Sequence, residues 1–567
     1  MSDRGLLAVA AVVAAGARLA WPVRPIVLVA VLGSAVVALG VPPLAGLPGW
    51  PAVRRVAAAA VALALALWVG ARAHDQLAAL DRAEPGPVSG VVTVRSDPER
   101  GDHGSVSADV ALGDLRYRLD VAGAAGATLA AATVGGTLRV EGRVRPFGSR
   151  TGWHESRHLA ARMRADSVEW LSGPGPLWAP ANRLRDVLAR GASSLDPTAR
   201  ALFEGVVLGD DRRQRDLTRF TFQASGLSHL LVVSGSNVAV VLTAARPITA
   251  RLPFRARWVL VAVVLLAFGS VVRWEPSVCR AIAMAAAATL ADQLGRRSAA
   301  LRTLLVAVLV LVCLDPLMVR SVGFQLSVAA TAGLALGARR IAERLPGPRP
   351  FAEALGVVLA AQVGCLPLLL AHFGLVPAAG LLVNLVAVPL AGWLMVWGLT
   401  AGFVAGLAPP AVAAVLHCPT ALLATVLDRL AEWGASPVLP RWDAVAAAAV
   451  VGASVVALRR GGRPAPRAAL AASLVLVACA WSVRPPPVGQ TPLGRGAHLE
   501  VGPGGSTTVR VGGQARFRDV AEGLERARVR RLDLVVLTSA GPVARGTATD
   551  LARLWPPGKV VVEAPVG

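Results

Sequence analysis

Apolar residues fill most of this chain in long runs, broken by short hinges rather than by alternating polar faces. The clearest runs are Val27 to Pro42, Val56 to Val69, Val259 to Val272, Val278 to Leu290, Leu304 to Leu314, Ala354 to Leu370, Leu381 to Val404, Ala444 to Leu458 and Ala468 to Val483. A helix that crosses a bilayer needs about 20 mostly apolar residues. The pattern therefore predicts a bundle of helices with on the order of eleven spans. The apolar stretch after Arg4 reads as a first span or signal anchor, because further spans follow it closely.

Two stretches interrupt the bundle. Between Asp75 and Trp170, apolar and polar positions alternate over Val88 to Arg95, Val106 to Leu112, Leu115 to Val121, Leu138 to Arg145 and Ser167 to Leu171. Short strands of period two, split by Gly, Pro and Asp turns, predict a small antiparallel barrel, for which an OB-type barrel is the economical form. Beyond Pro485 to Pro487, Val509 to Val511, Leu532 to Thr538 and Val560 to Val562 read as strands and Asp519 to Arg528 as a helix. The fold class is thus a polytopic α-helical membrane protein with an external OB-like β-barrel and a short α/β C-terminal remnant. In order, residues 1–73 hold N-terminal transmembrane helices and 74–172 the barrel. Residues 173–222 form a linker with charged amphipathic helices lying at the interface, 223–484 the transmembrane core, and 485–567 the C-terminal piece.

Composition agrees: 54% of the 567 residues are hydrophobic and 16% charged, far from a soluble globular chain. The net charge of +23 would suggest a polyanionic partner if it belonged to one surface. Much of it instead sits in hinges, at Arg246, Arg251, Arg255 and Arg257, at Arg296, Arg297 and Arg302, at Arg339, Arg340, Arg344 and Arg349, and at Arg459, Arg460, Arg463 and Arg467. Basic hinges face the cytoplasm, which puts the barrel and the C-terminal piece on the external side. Cys279, Cys313, Cys365, Cys418 and Cys479 lie in apolar runs without metal-binding spacing, so neither a disulfide nor a cysteine metal site is expected.

The last third of the barrel is basic, with Arg139, Arg143, Arg145, Arg150, Arg157, Arg162 and Arg164 against Glu141 and Glu155. Single-stranded nucleic acid is held by such cations combined with aromatic platforms, and Tyr117, Phe147 and Trp153 are available. Arg139, Arg143, Arg145, Arg150, Trp153 and Arg157 are the DNA-binding candidates; a solvated face of an anchored domain explains the same residues equally well.

Polar groups inside the bundle are the other candidates, since each one left unsatisfied in hydrocarbon is costly. Ser228, His229, Ser234 and Asn237 lie in GLSHLLVVSGSNV, followed by Arg273, Glu275, Arg280, Gln325, Gln362 and Asn384. Glu275 is the expected partner of Arg280. Packing through small residues and interhelical hydrogen bonds is the alternative role for these positions.

GLSHLLVVSGSNV (Gly226 to Val238), PSVCRAIAM (Pro276 to Met284), LGRR (Leu294 to Arg297), Asp315-Pro316 and SVGFQLSVAATAGL (Ser321 to Leu334) together resemble the ComEC family of bacterial DNA-internalisation competence proteins. The resemblance implies transport of single-stranded DNA across the cytoplasmic membrane, with an external OB-like domain and a metallo-β-lactamase-like C-terminal domain. It also implies the lipid bilayer, a DNA receptor and a cytoplasmic ATP-driven motor as partners. Asn237 stands where the family usually has a second histidine and carries no proton. At the C-terminus, Ser539, Gly541, Val543 and Ala544 stand where His, Asp, Asp and His would bind two metals, and Leu499 to Gly505 is a degraded form of the upstream LDVGQGD element. Such side chains do not hold a divalent ion; a degenerate, truncated domain with no hydrolase activity, no metal and no cofactor is expected. A membrane-bound nuclease or hydrolase, and a small-molecule secondary transporter, are the competing functions.

Overall fold

The computed structural model describes residues 3–19, 50–101, 105–231, 235–293, 299–439, 441–442, 486 and 488–563. The runs at 27–42, 444–458 and 468–483, the LGRR turn, Ser234, Arg459 to Arg467 and Cys479 lie outside the described residues. Among the described residues, Arg349–Phe373 and Gly380–Leu407 are long and apolar enough to cross a membrane. Pro410–Leu416 and Cys418–Ala435, bent by 50° at their junction, make a third span if counted as one. The apolar helices Pro276–Leu290 and Ala300–Leu314 are shorter.

The chain divides into two compact units, residues 1–189 with 234–336 and residues 190–233 with 337–567. In the first, helices Asp3–Leu19, Trp50–Leu80, Ala300–Leu314 and Val322–Ala342 share a core that includes Val13, Ala17, Val69, Leu304, Val308 and Phe324. Trp50–Leu80 leads into the β-domain, whose strands are β1 (Gly86–Val94), β2 (Glu99–Arg100), β3 (Val106–Leu112), β4 (Leu115–Val121), β5 (Thr137–Arg145) and β6 (Leu159–Ser172). The sheet runs β1-β5-β6-β4-β3-β2, and a further pairing of Thr93 and Val94 on β1 with Ala111 and Val110 on β3 closes it. β4 and β6 are parallel and the other neighbours antiparallel; the helix Ala124–Ala130 lies between β4 and β5. The alternating apolar positions, among them Val92, Val94, Leu119, Leu138 and Met163, fill the interior, as period two requires.

Register between β5 and β6 shifts at Glu141/Gly142. A β-carbon on Gly142 would stand 2.1 Å from the Arg164 carbonyl oxygen, so the bulge requires glycine. Gly142→Ala is expected to lower thermal stability by about 1–3 kcal/mol, the usual range for overpacking. Gly148→Ala, with nothing near its β-carbon, is the control, and equal melting temperatures for the two variants would refute this.

In the second unit the stretch Ala199 to Leu208 is buried apart from the half-buried Arg200. After Pro197–Phe203 the chain makes a π-helical turn over Glu204–Leu208. Leu202, Phe203, Val206 and Val207 are buried, because Gly398 and Gly402 on Gly380–Leu407 leave room for the Phe203 ring and Val207. Short strands β7 (Val376–Pro377) and β8 (Arg441–Trp442) pair antiparallel. The C-terminal sheet has strands β9 (Gly489–Pro492), β10 (Ala497–Val501), β11 (Thr507–Val511), β12 (Leu534–Leu537) and β13 (Lys559–Val562), in the order β13-β12-β11-β10-β9. β9 to β11 are antiparallel and β11 to β13 parallel. Its core is continuous with the helix Asp216–Ala224, where the Phe220 ring lies 5.6 Å from Phe517 and 6.1 Å from Trp555. Glu525 receives the buried Arg441 at 2.9 Å and Asp550 receives Arg215 at 2.9 Å.

Candidate nucleic-acid interface

The loop from β5 to β6 carries the short helix Gly152–Ser156. It presents Trp153, 47% exposed, with the Arg157 guanidinium 4.7 Å and the Arg118 guanidinium 5.9 Å from its ring centroid. Both cations are fixed from below by Asp109, 6% exposed, which receives Arg118 and Arg157 at 3.0 Å each. Glu99 adds a contact to Arg118 at 2.5 Å. Burial opposes the charge on Arg118, but Glu99 and Asp109 outweigh it and hold the guanidinium above its ordinary value. His154 stands edge-on to Trp153 and against Phe147; burial, then Arg162 nearby, holds its imidazole below the ordinary range. The result is an exposed indole between two fixed cations, beside an imidazole biased toward its neutral form.

Register extends this patch. Arg143 on β5 faces Arg164 on β6, and Arg145 faces Arg162; all four are exposed. Like charges directly opposite one another destabilise a sheet. Arg162 is held by Asp120 at 3.0 Å and Arg164 acts on the same carboxylate, while Arg143 and Arg145 make no ion pair among the described residues. This cross-strand ladder concentrates positive charge, and its Arg162 end lies near enough to His154 to act on its charge. Sequence reading noted all four arginines but did not place them opposite each other. The remaining candidates lie apart: Arg139 meets Glu169 at 3.4 Å, both well exposed, and Arg150 is paired with Asp81. Arg118, not among the candidates, belongs to the platform; Arg116 and Arg118 in an alternating strand gave no signal.

The same end of the barrel is bound to the helices. Asp97, in the β1–β2 loop, takes both Nε and Nη2 of Arg273, at 2.9 and 2.7 Å, and Arg185 at 3.0 Å. Arg185 also donates to the Val271 carbonyl at 2.7 Å. Glu155 receives Arg320 at 2.7 Å, and His158 Nε2 lies 3.0 Å from Asp315 Oδ2. His158, Arg273 and Trp274 all have φ between 56° and 60°, a left-handed backbone that non-glycine residues adopt only where the surroundings impose it.

The polar residues of the bundle fall into two groups. Ser228 and His229 are exposed on the 3₁₀ turn Ser228–Leu230. In the same unit the buried Asn384 amide donates to the carbonyls of Gly226 at 3.4 Å and Gly380 at 2.6 Å, and Gln362 lies against Gly380. In the other unit, Asn237 is half-buried on the helix Gly235–Thr249, Glu275 precedes the helix Pro276–Gln293, and the Gln325 amide donates to Val319 at 2.8 Å. Arg280 does not meet Glu275. Its Nε donates to Ser327 Oγ at 2.8 Å, because its side chain runs across to the helix Val322–Ala342 instead of back to the start of its own.

At the C-terminus, Ala544 is in the core and Val543 is exposed, while Ser539 Oγ accepts from the Gly541 amide at 3.3 Å. Among the described residues no cluster of His, Cys, Asp or Glu could hold a metal ion.

Residues 206–463 match the family model described as Competence protein. No curated protein and no solved structure is matched.

Proposed function

From the premise that residues 206–463 are a ComEC-type competence core, we propose that this chain takes part in DNA uptake by carrying single-stranded DNA across the cytoplasmic membrane. The observation that carries this reading is the continuity of the barrel's basic and aromatic surface with its attachment to the helices. The arginine ladder leads to Trp153, and the loop bearing Trp153 is held to the helix ends through Glu155 and His158.

The barrel is read as OB-type. Five long strands in a closed cycle, one parallel pair and a helix between the third and fourth of them support this. OB-type barrels bind single strands with one sheet face and adjoining loops. Both soluble pieces are read as external. On the helix Phe254–Val271, Arg257 marks the end away from the barrel and binds the Thr249 carbonyl at 3.0 Å, whereas Arg273 beyond the other end is neutralised by Asp97. Unneutralised basic hinges belong on the cytoplasmic side.

The strand would pass from the barrel to the polar residues of the bundle. A separate DNA receptor and a cytoplasmic ATP-driven motor would deliver and pull it, since the sequence holds no Walker-type phosphate loop. The C-terminal sheet is assigned no hydrolysis, because Ser539, Gly541, Val543 and Ala544 offer no ligand set.

Deleting the gene in a naturally transformable host is expected to abolish entry of labelled DNA into the cytoplasm while surface binding persists. Unchanged entry would refute the proposal.

A further inference from the structure

Arg95 follows β1 and Arg116 lies on β4, and both are exposed. Their chain neighbours Val94 and Tyr117 fill the interior of the barrel, so alternation turns both arginines to its outer face. Register lays that face out. The Arg95 amide donates to the Asp109 carbonyl at 2.8 Å, and Asp109 stands opposite Arg118; in the next row Thr93, Ala111 and Arg116 lie side by side. The two arginines therefore come from strands about 10 Å apart, with β3 and the small Ala111 between them.

Neither guanidinium makes a hydrogen bond or ion pair among the described residues. The nearby carboxylates are engaged elsewhere: Asp109 holds Arg118 and Arg157, Asp97 holds Arg273 and Arg185, and Asp315 meets His158. Solvent reaches Arg116, yet the protein around it, and then the charge of Arg95, hold its guanidinium below the ordinary value in spite of Asp315 and Asp109. A side chain that is wet and still crowded by protein lies in a cleft. Two cations kept close without a counter-charge repel each other, a cost that packing of the barrel does not require.

The attachments show where the cleft runs. Asp97, two residues beyond Arg95, binds Arg273 just past the helix Phe254–Val271. Asp315, whose charge acts on Arg116, caps the end of the helix Ala300–Leu314 and meets His158. The unpaired arginines thus occupy the face of the barrel between its two fastenings, turned toward the helix ends. Arg118, two residues from Arg116 on the same face, leads back to the Trp153 ring.

We propose that Arg95 and Arg116 form a phosphodiester site in the cleft between the barrel and the helix ends, through which the strand leaves Trp153 on its way to the membrane. The inference deepens the DNA-transport reading and rests on it: the strand passes beneath the barrel. Because neither cation has a protein partner, an arriving phosphate displaces only counterions, and no ion pair has to break or re-form as the strand moves on. An anionic lipid headgroup offers the same chemistry, so the test separates the two.

The test uses the full chain in nanodiscs of phosphatidylcholine, with or without phosphatidylglycerol, and an oligothymidylate carrying 4-thiothymidine. Affinity is followed by fluorescence anisotropy over a series of salt concentrations, and photo-adducts are mapped by peptide mass spectrometry. Adducts are expected near Trp153 and also at the helix ends, in peptides containing residues 273–279 and 314–320. In the double variant Arg95→Gln with Arg116→Gln, the slope of log affinity against log salt should flatten by about 1.4, roughly 0.7 for each phosphate contact, and the helix-end adducts should fall severalfold while those near Trp153 persist. Arg95→Lys with Arg116→Lys keeps both charges and should keep the slope. Adducts near Trp153 with none at the helix ends, or a slope indifferent to the glutamine pair, would overturn this route and leave the DNA reading standing. No adducts at either place would overturn both. A melting temperature raised by phosphatidylglycerol in the parent but not in the glutamine variant, with the same salt slope for DNA in both, would assign the pair to lipid headgroups and overturn the proposal.

Discussion

Replacing Asp97 by alanine is expected to destabilise the protein by about 3–5 kcal/mol, the range for removing one partner of a buried ion pair. Asp97 is 15% exposed at its side chain, Arg273 14% and Arg185 8%. Two guanidinium groups would lose their shared carboxylate together, and neither has solvent enough to replace it. The contrasting pair is Arg139 with Glu169, whose side chains are 54% and 66% exposed; Arg139→Gln should change stability by about 1 kcal/mol or less. Thermal unfolding of the full chain in detergent measures both, and Asp97→Asn, which keeps hydrogen bonding but not charge, should fall between them. A shift for Asp97→Ala no larger than that for Arg139→Gln would show that the barrel is held by something else. Because the arginine ladder and Trp153 are untouched, Asp97→Ala should bind single-stranded DNA normally and yet fail to internalise it.

This attachment was invisible in the sequence. Asp97 and Arg273 are 176 residues apart, and a pairing of distant charges leaves no periodic trace. What periodicity does encode was legible: β3 and β4 lie where alternation placed them, and β1 and β5 begin within two residues of it. β6 was read only from Ser167, whereas it begins at Leu159, because Leu159, Ala160 and Ala161 are all buried and show no alternation. β9, with the sequence GQTP, carries no strand signal. Within the amphipathic region, Ala199 to Leu208 carries apolar side chains on most sides, and most of them are buried. Among the site residues, the basic character of β5 and β6 could be read, but their opposition could not, since a bulge at Gly142 sets the register. Arg280 was visible as a charge in an apolar run; that it reaches across to Ser327 is a property of packing alone.

Trp153→Ala is expected to weaken binding of single-stranded DNA by about 1–3 kcal/mol, roughly five- to 150-fold, the usual worth of one base stacked on an aromatic ring. The indole is exposed and its flanking cations are already held by Asp109, so the platform is preorganised and little ordering opposes stacking. Removing the ring deletes no charge, so the salt dependence of binding should keep its slope. Arg143→Gln and Arg145→Gln should do the reverse, lowering affinity most at low salt and each flattening the slope by roughly 0.7, as expected for one phosphate contact on a single strand. Trp153→Phe should recover most of the affinity because a π-face remains. Fluorescence anisotropy of a labelled oligothymidylate on the full chain, over a series of salt concentrations, separates these outcomes. If Trp153→Ala binds like the parent while Arg143→Gln does not, DNA would follow the arginine ladder without reaching the loop held by Glu155 and His158, and the route from barrel to helices would have to begin elsewhere. If both lose affinity in these distinct ways, the strand is gripped by charge along β5 and β6 and by stacking at the point of attachment, which is the order a strand entering the membrane must meet them.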